Sequence, residues 1–134
     1  MIPKIIHYCW FGNKKLNKRQ IKCIKTWKKY LSDYEFKLWN EENIDTNHPF
    51  IKLALKHKKW AFVSDFVRLQ KLYDYGGIYL DTDMFVLKSF DELLMNPCFL
   101  GAQDSKLIAA GIIGATKNNN FIKKCMSYYN EDHP

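Results

Sequence analysis

Leu72-Tyr73-Asp74-Tyr75-Gly76-Gly77-Ile78-Tyr79-Leu80-Asp81-Thr82-Asp83 joins the end of a helix to the start of a strand. Gly76-Gly77 ends the helix, because glycine adopts the backbone angles that reverse a chain at a helix terminus. Ile78–Leu87 reads as a strand region interrupted by Asp81-Thr82-Asp83. Side chains alternate along a strand, so Tyr79, Asp81 and Asp83 are expected to point one way, and Leu80 and Thr82 the other. Two carboxylates on one face at a strand end repel each other unless a cation lies between them. A hard divalent ion with oxygen ligands meets that need, and a diphosphate can complete its shell. The plain alternative is a polar turn whose Asp side chains cap backbone amides.

Upstream, Trp60–Tyr75 reads as a helix carrying Ser64-Asp65-Phe66-Val67-Arg68. Asp65 and Arg68 are three apart and share a face, with Leu72 one turn further on the same stripe. One reading is an exposed ion pair worth about 0.2–0.5 kcal/mol. The other has Asp65 accepting hydrogen bonds from hydroxyls while Arg68 orients it or contacts phosphate.

Further out, Lys4–Trp10 is an opening buried strand, with His7 inside it as a satisfied core histidine and aromatic residues at its end able to stack on a base. Phe11 is assigned to the core. Asn17–Leu31 places Ile21, Ile24, Trp27, Lys28 and Leu31 at helical spacing, with lysines on the other faces, and reads as an amphipathic helix. Tyr34–Trp39 is a second strand and Phe50–Lys58 a second helix. Beyond the acidic motif come a short helix at Phe90–Leu94, strands at Pro97–Gln103 and Leu107–Ala115, and a helix at Asn118–Tyr129. Alternating strands and helices give an α/β sheet with helices on its faces, a fold class that binds ligands beyond the carboxyl ends of its strands.

The chain has 134 residues, 47% of them hydrophobic, which fits one packed domain and excludes a disordered chain. Its apolar runs are too short to span a membrane, and the opening segment lacks the pattern of a secretory signal. A net charge of +7 is first read as a solvated lysine-rich surface, and secondly as one that attracts nucleotides, nucleic acid or an acidic bilayer face, so charge alone does not decide function. Cys9, Cys23, Cys98 and Cys125 lack zinc or redox spacing and read as reduced thiols of a cytosolic protein.

Ile2-Pro3-Lys4-Ile5-Ile6-His7-Tyr8-Cys9-Trp10-Phe11-Gly12 resembles the start of bacterial capsular-polysaccharide glycosyltransferases. These belong to the DXD-containing sugar-transferase family, which includes yeast initiating mannosyltransferases and is related to the clostridial glucosylating toxins. Three further blocks match in order: Trp27 with Asp33-Tyr34-Glu35 and Trp39; Ala61 to Leu69; and Leu72 to Asp83.

The resemblance implies a GT-A-like (Rossmann-like) mixed sheet flanked by helices, a nucleotide-sugar donor, Mn²⁺ or Mg²⁺, and retention of anomeric configuration. It places Trp10 against the base, Ser64, Asp65, Arg68 and Tyr79 around the donor, Asp81 at the ribose and in the metal shell, and Asp83 on the metal. It singles out no catalytic residue. It implies a glycan or lipid-linked glycan acceptor in capsule or surface polysaccharide synthesis. UDP-sugars are the default donor, with GDP-mannose open. The expected setting is cytoplasmic and peripheral at the inner face of an anionic membrane, without nucleic acid.

Residues 1–134 are then expected to form one nucleotide-sugar-binding domain, shortened at its carboxyl end, which folds but transfers sugar weakly or only binds donor. Where the family strand often carries a polar residue, this chain has Ala110-Gly111. Two competing readings are a phosphatase using Asp81 as nucleophile and Asp83 as acid/base, and a silent basic binding module.

Overall fold

The computed structural model describes residues 1–12, 14–102 and 108–129. Its elements run β1 (Ile5–Cys9), α1 (Lys18–Tyr30), β2 (Glu35–Trp39), α2 (Pro49–Lys56), α3 (Trp60–Tyr75), β3 (Gly77–Leu80), a 3₁₀ turn at Asp91–Leu93, β4 (Cys98–Ala102), β5 (Ile108–Ala115) and α4 (Asn120–Ser127). The strands form one mixed sheet in the order β2-β1-β3-β5-β4. β1 pairs parallel with both β2 and β3, while β5 runs antiparallel to β3 and β4.

Strand alternation divides the core into two layers. Ile6, Ile78 and Leu80 face α1, where Ile24, Trp27 and Leu31 are buried. Cys9, Tyr79, Ile113 and Ala115 face the other side, packed against Phe66, Val67 and Leu72 of α3, Ile51 of α2 and Ile122 of α4. β3 lies between β1 and β5 and is buried along its whole length, as a strand covered by helices on both faces should be.

Local sequence sets the ends of these elements. Asn17 and Gln20 form a reciprocal capping box at the start of α1. Gly76 ends α3, and Gly77 has φ +120°. A Cβ at Gly77 would lie 2.7 Å from the Ile5 carbonyl oxygen, so only glycine lets β3 pair this closely with β1. His7 is fully buried. Its Nδ1 accepts from Trp39 Nε1 at 3.0 Å and its Nε2 meets the Gly76 carbonyl at 2.8 Å, which fixes Nε2–H as the donor. It is the satisfied core histidine the sequence indicates.

Two expectations need correcting. The strand read through Leu87 ends at Leu80. Asp81 to Met84 instead form a turn, with Met84 N donating to the Asp81 carbonyl at 3.1 Å. The apolar run Phe85-Val86-Leu87 imitates a strand, yet only Val86 is buried, and this segment is tied to α1 rather than to the sheet. On α1, Ile21 is 44% exposed and Cys23 takes its place in the buried stripe, because the stripe lies one position round the helix from the one expected. Other boundaries shift by two residues at most, and those of α3 do not shift. Gln103 and Leu107, placed at strand ends by the sequence, lie outside the described residues.

Candidate functional site

Because β1 and β3 are parallel neighbours, their carboxyl ends emerge at the same edge of the sheet. A cleft of about 430 Å³ opens there. Trp10 enters it from the end of β1, Asp81 and Asp83 from the turn after β3, and Trp60, Ser64 and Arg68 from one side of α3. Residues 60, 64 and 68 recur at four-residue spacing, so they form a single helical stripe facing the cleft. Tyr79 and Asp81 share the cleft side as strand alternation expects, and Asp83 joins them through the turn.

Arg68 sits at the base of this arrangement with only 9% of its side chain exposed, so the exposed-pair reading fails. Its Nε donates to the Ser64 carbonyl at 3.2 Å and its Nη2 to Ser64 Oγ at 3.0 Å. Nη2 also lies 3.3 Å from Asp65 Oδ1 and 3.5 Å from Asp81 Oδ1. The guanidinium stacks over the Tyr79 ring at 4.3 Å. One buried cation thus serves two carboxylates from different elements. Asp65 is not part of the cleft wall; it reaches the site through Arg68. Burial raises its pKa, Arg68 lowers it, and Asp81 adds a further upward push.

Tyr79 carries the chain of contacts to the acidic turn. Its hydroxyl meets Ser64 Oγ at 3.1 Å and donates to Asp81 Oδ1 at 2.8 Å. Burial first, then the neighbouring Cys9, push the phenol well above its usual pKa. Cys9, on the cleft floor, is pushed by burial to about 12, so it is an inert thiol and not a nucleophile. All four cysteines are free, Cys9 and Cys23 buried and the other two partly so.

Oδ1 of Asp81 is therefore engaged from two sides. Its Oδ2 faces Gly111, where an added Cβ would lie 3.1 Å away. The main chain ties the same two residues, with Asp81 N donating to the Gly111 carbonyl at 2.9 Å. An Asp held this way is poorly disposed to act as the free nucleophile of the phosphatase reading. Among the described residues no three His, Cys, Asp or Glu side chains group to hold a metal. The cleft offers two carboxylates, one exposed at Asp83 and one half-buried at Asp81. That donor set fits Mg²⁺ or Mn²⁺ bound jointly with phosphate oxygens and water, and does not fit a metal caged by protein alone.

Sequence reasoning singled out Trp10, Ser64, Arg68, Tyr79, Asp81 and Asp83, and the structure brings them into one cleft. It did not single out Trp60, Lys14, Gln20 and Thr82, which also line it. Trp60 was legible as the first residue of the Ser64–Arg68 stripe. Gln20 was not, because its 3.4 Å contact with Thr82 Oγ1 joins residues far apart in the chain.

Residues 17–100 match the family described as the glycosyltransferase sugar-binding region containing a DXD motif. The chain belongs to this family. Among the relatives of this DXD-family chain is inositol phosphoceramide mannosyltransferase 3 of Schizosaccharomyces pombe, 31% identical over 90% of this chain and 35% of that protein. A glycosyltransferase of Acanthamoeba polyphaga mimivirus is 30% identical over 89% of this chain and 52% of its own length. The DXD-family chain thus spans between about a third and a half of these two relatives. Among solved structures, PaToxG glycosyltransferase superposes with a TM-score of 0.72 at 22% identity, covering 96% of this chain and 61% of that one. A transferase variant superposes at 0.65 and 14% identity, covering 99% and 82%. The fold is of the GT-A type.

Proposed function

We propose that this chain binds a nucleotide-sugar donor with a divalent ion and serves transfer of the sugar, with retention of configuration, to a glycan or lipid-linked glycan. The observation that carries this reading is the convergence of Asp81 and Asp83 on a single cleft, with Arg68 buried beneath Asp81. In this reading Trp10 lies against the base, Asp81 and Asp83 hold the ion together with the diphosphate, and Arg68 meets the sugar with Asp65 acting through it. When bound, Mn²⁺ or Mg²⁺ supplies positive charge that offsets charge developing on the leaving diphosphate.

The chain's own residues contribute position and field. Tyr79 and Arg68 occupy Oδ1 of Asp81 and so fix its direction before any ligand arrives. Trp10 is itself held, its Nε1 donating to the Lys14 carbonyl at 2.6 Å. Transfer further requires an acceptor hydroxyl held at the anomeric carbon. For the isolated chain the proposal is donor binding with slow hydrolysis, and weak transfer at most. UDP-sugars are the first donors to try and GDP-mannose the second. The proposed setting is the cytoplasmic face of a membrane, in capsule or other surface polysaccharide synthesis.

The test is calorimetric titration of the chain with a panel of nucleotide sugars in Mn²⁺ and again in EDTA, alongside duplex DNA and phosphomonoesters. The proposal expects saturable, metal-dependent binding of one nucleotide-sugar class. Tighter binding of DNA or phosphomonoesters than of every nucleotide sugar would overturn it.

A further inference from the structure

Every charged residue from Lys14 to Lys29 is basic. Within α1, Lys18, Lys22, Lys25 and Lys29 fall at four-, three- and four-residue spacing, so they form one ridge along the helix. That ridge points directly away from the buried stripe of Ile24, Trp27 and Leu31, and all four lysines are exposed. None of the four forms a salt bridge among the described residues. Like charges at this spacing oppose helix formation by a few tenths of a kcal/mol per pair, roughly 0.2–0.5 each. The helix tolerates that repulsion through its capping box and its buried face.

A second observation identifies the partner. The segment after the acidic turn is tied alongside α1: Trp27 Nε1 donates to the Met84 carbonyl at 2.6 Å, and Val86 N donates to Thr26 Oγ1 at 2.9 Å. Val86 is buried, while its neighbours Phe85 and Leu87 are 48% and 79% exposed. Lys88 follows, also exposed. Two large apolar side chains therefore project into solvent beside a row of lysines that form no salt bridge among the described residues. Lysines that attract anionic headgroups, beside apolar side chains that enter the acyl boundary, are the combination that binds a bilayer interface. A bilayer engages both parts of this surface, the lysines at the headgroups and Phe85 and Leu87 at the acyl boundary, whereas a phosphate backbone engages the lysines alone.

We infer that the outer face of α1, with Phe85 and Leu87 beside it, is a docking surface for an anionic lipid bilayer. Lys14, at the head of this basic run, is exposed and lines the cleft. Docking would set the cleft mouth close to the lipid surface. Binding of the surface stands on charge and packing alone; its use in presenting a lipid-borne acceptor rests on the glycosyltransferase reading.

The experiment is co-sedimentation of the chain, without donor or metal, with vesicles of equimolar phosphatidylcholine and phosphatidylglycerol, and with pure phosphatidylcholine. Lys22→Gln with Lys25→Gln is compared with Lys52→Gln and Lys56→Gln on α2, which removes the same charge from the opposite side of the sheet. Lysine and glutamine have similar helix propensity, and circular dichroism verifies that the helices persist. The chain should bind the anionic vesicles and not the neutral ones. The α1 pair should lower partitioning about thirty-fold, and the α2 pair less than about threefold. Leu87→Ser should lower it about tenfold, a loss that persists at high salt. Equal losses from the two lysine pairs, no binding to anionic vesicles, or tighter binding to duplex RNA that ignores Leu87→Ser would each overturn the inference.

Discussion

The phenol of Tyr79 donates to Oδ1 of Asp81 at 2.8 Å, from the last turn of pleat in β3 to the first residue beyond it. The bond has one polarity, because burial keeps the phenol protonated. It therefore aims the carboxylate: Oδ1 turns toward Tyr79 and Arg68, and Oδ2 toward Gly111.

Tyr79→Phe removes this bond and keeps the ring beneath Arg68. The variant should fold, with a stability loss of about 1 kcal/mol in denaturant unfolding. Its affinity for a nucleoside diphosphate in Mn²⁺ should fall about tenfold by calorimetry. An unchanged affinity would remove Tyr79 from the site.

Gly111→Ala tests the other oxygen. Its Cβ would come 3.1 Å from Asp81 Oδ2, close enough to displace the carboxylate by a few tenths of an ångström. Metal-dependent donor binding should weaken while the melting temperature stays within a few degrees, about 4 °C or less. The small residue at position 111 leaves room for Asp81 Oδ2.

Asp65 reaches the cleft only through Arg68, and its side chain is 44% exposed, so its loss should not unfold the chain. Asp65→Ala should reduce discrimination between a nucleotide sugar and the plain nucleoside diphosphate by about tenfold. Equal weakening of both ligands in a competition titration would show that Asp65 does not act on the sugar.

Local signals made much of this legible. The Gly76-Gly77 stop and the helical stripe ending in Leu72 act over a few residues, and each sits where the sequence indicates. Alternation places Tyr79 and Asp81 on one side, as found, but it does not describe Asp83, because the chain turns at Asp81 instead of continuing as a strand. The burial of Arg68 was hidden because it depends on Tyr79 and Asp81 arriving from another element. Phe85-Val86-Leu87 has strand-like composition, and only the contacts of Met84 and Val86 with α1 show that it is a tethered loop.

His7 supplies a pH dependence away from the cleft. Burial lowers its pKa from 6.5 to about 4. The unfolded chain takes up its proton near pH 6.5 and the folded chain only near pH 4, so between these values the unfolded state binds more protons and stability rises with pH. Stability should be fully present above the unfolded value and fall by about 3 kcal/mol as pH drops toward 4, an order-of-magnitude figure. Urea unfolding at a series of pH values measures the slope, and a flat profile would mean that His7 takes up its proton alike in the folded and unfolded chain.

The most direct measurement is the affinity of a nucleoside diphosphate for the chain and for Asp83→Asn, each in Mn²⁺ and in EDTA. Asp83 is exposed on the acidic turn, so its replacement by an isosteric amide leaves the fold intact. If Asp81 and Asp83 hold a divalent ion jointly with the diphosphate, Asp83→Asn lowers affinity in Mn²⁺ by about tenfold or more and leaves the weak binding in EDTA unchanged. Equal loss under both conditions, or no loss in Mn²⁺, would contradict the assignment of this cleft as a metal-dependent donor site.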